Sequence, residues 1–139
     1  MKLSLEDARR YLETNHRAFL NTRRKDGGLQ SSLVRAQLDG QGRAVVWARG
    51  STAKLKNLRR DPRAALSVLG ESGAAPWLHV EGAAQVVGQP DAMPLLEEYY
   101  RIREGKEHAN WDAYRAQMTA ENRALICITI TTALGPDGR

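Results

Sequence analysis

The sequence predicts a mainly β protein, a six-stranded antiparallel β-barrel with peripheral helices, built as one domain over residues 1–139. Three observations predict it. Short apolar runs are joined by glycine-containing hairpin turns, Lys25-Asp26-Gly27-Gly28 and Asp39-Gly40-Gln41-Gly42. Helical periodicity is confined to the start, one short central stretch and the segment before the last strand. No regular strand–helix alternation and no G-x-G-x-x-G turn occurs, which argues against a parallel Rossmann sheet.

The elements follow in order. Ser4-Leu5-Glu6-Asp7 is a capping-box-like start, and Leu5, Ala8, Tyr11 and Leu12 recur at helical spacing, giving a helix to Asn15. Strands are expected over 18–24, 29–38 and 43–49. Ser51 and Thr52 are good N-cap residues ahead of a helix over 52–61, which Asp61-Pro62 stops. A fourth strand spans 63–70, a loop 71–76, and a fifth strand 77–88, where Gly82 marks a bulge or a close backbone approach. Pro90-Asp91 opens a helix whose apolar stripe is Leu95, Leu96, Tyr99, Tyr100 and Ile102, and the segment around Gly105 breaks it. Trp111, Tyr114 and Met118 share one face of a helix over 110–121. The final strand is 124–132, and a tail follows at 135–138.

The net charge of +5 and pI of 9.7 suit an anionic partner: nucleic acid, anionic lipid or a phosphorylated small molecule. The single cysteine, Cys127, lies in an apolar run and reads as a buried structural thiol, so no disulfide framework is expected. No segment approaches the roughly 20 apolar residues of a membrane span, and no signal core is present. A cytoplasmic location follows by default. His16, His79 and His108 carry no metal-ligand spacing, and no nucleophile motif such as G-x-S-x-G occurs. An enzyme on this chain would leave the chemistry to a cofactor.

The short central helix is the best candidate site. Helix N-termini favour anions, so Lys54 in the first turn is misplaced unless an anion binds there. Lys54 and Asn57 lie three residues apart along one edge. Ser51, Thr52, the helix N–H groups, Lys54 and Asn57 thus form a candidate phosphate grip. Gln30, Ser31 and Ser32 place polar groups on both faces of the second strand. That strand reads either as a solvated edge or as hydrogen-bonding groups for a heterocycle. Trp77 reads either as a core aromatic or as a cover for a planar ligand. Trp47 reads as packing, and His79 alternates with Trp77 and Glu81 on one strand face.

Three stretches give the chain a family resemblance: 54–63 (KLKNLRRDPR), Val80-Glu81-Gly82-Ala83-Ala84, and 105–115 (GKEHANWDAYR). Over residues 5–135 the chain resembles the flavin/deazaflavin oxidoreductases, the split β-barrel group similar to pyridoxamine 5′-phosphate oxidase. The third stretch looks like the branch that uses the deazaflavin coenzyme F420 rather than FMN. The resemblance implies a homodimer with cofactor sites at its interface. It places the cofactor phosphate at Lys54, Asn57, Ser51 and Thr52, and the acidic tail at Arg49. The ring would lie against Gln30, Ser31, Ser32, Leu33 and Val34, with Trp77 supplied by the partner chain. Thr52 departs from the pattern, since close relatives often carry arginine there.

The resulting expectation is an F420-dependent reductase that passes hydride to an electron-poor small-molecule acceptor, with no membrane span and no nucleic-acid partner. Its rivals are an FMN-binding oxidase-like flavoprotein, a non-catalytic F420 carrier and a nucleic-acid binder using Lys54, Lys56, Arg59, Arg60 and Arg63.

Overall fold

The computed structural model describes residues 1–71 and 76–136, and the chain folds there as a curled antiparallel sheet with helices at its margins. The elements are α1 (Leu5–Leu12), β1 (Arg17–Arg23), β2 (Leu29–Arg35), β3 (Gln37–Leu38), β4 (Ala44–Ala48), α2 (Ala53–Arg60), β5 (Arg63–Leu69), β6 (Trp77–Val87), α3 (Ala92–Glu104), α4 (Trp111–Ala120) and β7 (Ala124–Leu134). The sheet order is β2-β1-β5-β6-β7-β4-β3. This is a split barrel, mainly β, with peripheral helices.

Among the described residues seven strands appear where six were expected, because the second one changes partners. β2 pairs with β1 as far as Arg35, and Ala36 still donates its N–H to the His16 carbonyl. Gln37 then pairs with Val45 of β4, and its buried amide donates to the Tyr99 carbonyl. Binary patterning does not record a change of partner, so the split at Ala36 was invisible.

Local chemistry sets the turns. Gly27 and Gly42 take positive φ values of 88° and 77°, which the two hairpin turns require. Ser4 caps α1 by accepting the Asp7 N–H, although α1 stops at Leu12 rather than Asn15, and the Asn15 amide donates to the Tyr11 carbonyl. At Gly82 the β6–β7 register shifts, and a Cβ there would collide with the Thr129 carbonyl oxygen. α3 ends at Gly105, in left-handed conformation. Ile102 departs from the expected apolar stripe and is exposed. The loop expected at 71–76 and the tail at 135–138 lie partly outside the described residues.

Two apolar clusters hold the sheet. One fills the barrel, with Leu20, Val46, Leu66, Val80, Ile126 and Ile128 packed against Leu55 and Leu58 of α2 and Leu12 of α1. The other lies outside β4 and β7, where Val45, Leu125 and Cys127 meet Ala92, Leu96 and Tyr99 of α3 and Tyr114 and Met118 of α4.

Candidate functional site

A cavity of about 340 Å³ opens where the ends of β2 and β4 approach the start of α2. β2 contributes Leu33, Val34 and Arg35, and β4 contributes Trp47 and Ala48. Arg49 and Thr52 come from the connection between β4 and α2, Lys54 from the first turn of α2, and Arg123 from the residue before β7.

The first turn of α2 contains no acidic residue, and no side chain caps it. Thr52 Oγ1 donates to the Arg49 carbonyl at 2.9 Å instead of accepting a helix N–H. Its role is to tighten the turn into α2, and the positive helix end stays open. The Lys54 side chain is part-buried and makes no hydrogen bond or ion pair with the described residues. Burial, and then the charge of Arg123, hold its pKa below the ordinary lysine value.

Arg123 is positioned by Glu121, whose carboxylate accepts from Arg123 Nε at 2.7 Å and lies 3.7 Å from Arg49 Nη2. The Gln117 amide, then Arg123, keeps Glu121 ionised by lowering its pKa. The Arg123 guanidinium also sits 4.2 Å from the Trp47 ring centroid, with Arg103 at 4.9 Å. Tyr99 stacks on Trp47 at 5.6 Å, so a flat, rigid aromatic wall adjoins four cationic side chains.

The residues singled out in the sequence are sorted by this geometry. Val34, Arg49, Thr52 and Lys54 line the cavity. Asn57 does not share it with Lys54: it is buried, and its amide donates to Thr22 Oγ1 at 3.0 Å and Gln30 Oε1 at 2.9 Å. Gln30 is thereby committed to Asn57. Ser31 points to the outer face and donates to Asn21 Oδ1. Ser32 is part-buried on the inner face beside Leu20, and Ser51 is exposed; neither lines the cavity. Trp77 lies on the outer face, paired with Leu69 and 41% exposed. Among the described residues, no group of three His, Cys, Asp or Glu side chains is arranged to hold a metal ion.

Besides Arg35 and Ala48, two wall residues that touch each other, Trp47 and Arg123, were not among the sequence candidates. The β4–β7 register explains the pairing. Ala48 lies opposite Ala124, so Arg49 and Arg123 come together at the strand ends. A sequence signal existed only in the Glu121-Asn122-Arg123 turn, which is silent until that register is known.

A split barrel with an uncapped helix start, a cation-rich cavity and an aromatic wall defines the class of protein. The chain belongs to the pyridoxamine 5′-phosphate oxidase family, whose model matches residues 4–135. Solved structures share the fold. A conserved hypothetical protein from Mycobacterium tuberculosis superposes with a TM-score of 0.76 at 19% identity, over 94% of this chain and 82% of its own. An F420 reductase superposes with a TM-score of 0.66 at 21% identity, over 90% of this chain and 94% of its own. A heme-binding protein from Mycobacterium smegmatis gives 0.65 at 20% identity, over 100% of this chain and 57% of its own. At such identities the likeness is one of fold, and function has to be argued from the site.

Proposed function

We propose that this chain binds coenzyme F420 in the cavity at the start of α2 and reduces an electron-poor small molecule. One observation carries the reading: Lys54, a part-buried cation without an ion-pair partner among the described residues, lies beside an uncapped helix N-terminus. An anion satisfies both. The donor set fits a planar group that bears a phosphate. Lys54 and the first N–H groups of α2 would hold the phosphate, Arg49 the acidic tail, and Trp47, Leu33 and Val34 the flank of the ring. Bound there, a deazaflavin supplies two-electron hydride chemistry. The chain's own contribution is to orient the ring against a rigid wall and to exclude water from it.

The likeness to an F420 reductase supports the choice of cofactor, and the family supports a flavin-type group more generally. Leu33 and Trp77, exposed at 56% and 41%, support a homodimer in which the partner chain completes the site. The same proposal includes a cytoplasmic location; no helix among the described residues is long and apolar enough to cross a membrane. The basic run is divided between different partners rather than presented as one patch, which supports a small-molecule ligand over nucleic acid. Lys54 faces the cavity, Arg60 binds the Arg23 carbonyl and Asn57, and Arg63 pairs with Asp61.

The test is a fluorescence titration with F420 and, in parallel, FMN, on the wild type and Lys54→Ala. Tight binding of F420 alone, weakened roughly tenfold or more by the substitution, is expected from the loss of a charge-assisted contact. Preference for FMN would assign the flavin instead. Binding of neither would end the reading. F420 binding without turnover of any enone or quinone acceptor would leave a carrier.

A further inference from the structure

The turn between α4 and β7 is built against the cavity. A Cβ on Gly50 would collide with the side chain and carbonyl of Asn122, so the 49–52 connection and the 121–123 turn lie flush. Asn122 takes a positive φ of 48° to make that turn. The Arg123 carbonyl accepts from the Gln89 amide, the Arg123 Nε donates to the Glu121 carboxylate, and the guanidinium lies over Trp47. Only 14% of the Arg123 side chain is exposed. A long, flexible side chain is thus fixed on the cavity wall within electrostatic reach of Lys54.

We propose that Arg123 is a specificity residue that makes this cavity select ligands bringing two negative charges to Lys54 and Arg123. The charges sit on one phosphate or on a phosphate with an adjoining carboxylate. The inference rests on the cavity being an anion site, as proposed above. Its physical basis is charge matching in a part-buried place. Lys54 alone is balanced by a single anionic charge. Arg123 stands beside Lys54 on a wall that also carries Arg35 and Arg49, and the one carboxylate of Glu121 is shared between Arg123 and Arg49. A monoanion therefore leaves cationic charge uncompensated beside the ligand, and unmatched charge is penalised where water is partly excluded.

Phenyl phosphate and phenyl sulfate test this, since they share a shape and differ by one charge at about pH 8, where phosphate is doubly ionised. Dissociation constants are read by ligand-observed NMR on the full chain. The wild type is expected to bind phenyl phosphate roughly tenfold more tightly than phenyl sulfate. Arg123→Gln is expected to weaken phenyl phosphate by roughly that factor and the sulfate by less than about twofold, with Arg123→Lys restoring most of the preference. The methyl phosphodiester of 2-phosphoglycolate carries one charge on the phosphate and one on the carboxylate, so the same Arg123 dependence with it assigns the second charge to a carboxylate, and its absence there assigns it to a doubly ionised phosphate. Thermal unfolding of each variant confirms that it is folded. Equal losses on both phenyl probes, or none, in Arg123→Gln would overturn the inference. If Lys54→Ala weakens both probes while Arg123→Gln weakens neither, the anion site stands and the role of Arg123 falls. If neither substitution affects either probe, the anion site falls with it.

Discussion

The two outer faces of the sheet are covered differently. Outside β4 and β7, helices α3 and α4 bury Val45, Leu125 and Cys127 against Leu96, Tyr99, Tyr114 and Met118, none more than 4% exposed. Outside β1, β2, β5 and β6, no helix lies on the sheet among the described residues, yet large apolar side chains are spent there. Leu33 pairs with Phe19 and Leu69 with Trp77, at exposures of 56%, 42%, 39% and 41%; Leu134, opposite His79, is 42% exposed. Large apolar side chains exposed together in this way mark an interaction surface, although Ser67 and His79 stand between Phe19 and Leu134 across the strands. The lesson is that one chain finishes half of its exterior, and the proposed second copy finishes the other half.

The largest expected effect breaks the bare face. Replacing Phe19 and Leu33 together by Glu should raise the dimer dissociation constant by about a thousandfold, since each places a charge in a desolvated contact. The secondary structure should survive, because both positions already tolerate solvent. Sedimentation velocity on the wild type and the double variant reads this. A wild type that stays monomeric at tens of micromolar would remove the second copy as the cover of that face.

A smaller effect sharpens the contrast on the helix-covered face. Leu96 is fully buried, and Leu96→Ala should cost about 3 kcal/mol of unfolding free energy through lost transfer energy and a residual cavity. Leu33→Ala, measured at a concentration low enough to keep the protein monomeric, should cost less than about 0.5 kcal/mol. Urea unfolding measures both. Similar values would mean that the two faces do not differ in the way their exposures indicate.

How much of this was legible follows the range of the interactions. The hairpin turns, the Ser4 cap, the stop at Asp61 and the constraint on Gly82 depend on neighbours or on one close approach, and the residue types announce them. Lys54 was legible for the same reason: a cation in a first helical turn is anomalous wherever the helix lies. The aromatic wall was not, because Trp47 looks like any core aromatic until β7 brings Arg123 beside it. Asn57 took neighbours that the sequence does not announce. Its spacing from Lys54 puts both on one helix edge, but α2 packs so that this amide turns toward Thr22 and Gln30 of the sheet. A helical wheel gives the angle between two residues and says nothing about which neighbour each one finds.

The smallest effect comes from the tyrosines that anchor the helix-covered face. Tyr99 donates its hydroxyl to the Arg35 carbonyl, and Tyr114 donates to the Leu96 carbonyl. Burial raises both pKa values to about 12, because an ionised phenol would lose its hydration and its donor proton together. Their unfolded value is near 10. Between the two values the unfolded chain has released protons that the folded chain still holds, so stability falls as pH rises through that window and is unaffected below it. The melting temperature should therefore be level from pH 8 to 9.5 and decline above pH 10, by roughly a few degrees per pH unit. Tyr114→Phe should flatten part of that decline while lowering the neutral-pH melting temperature slightly, through the lost hydrogen bond to Leu96. A decline unchanged in Tyr114→Phe would place the alkaline sensitivity elsewhere.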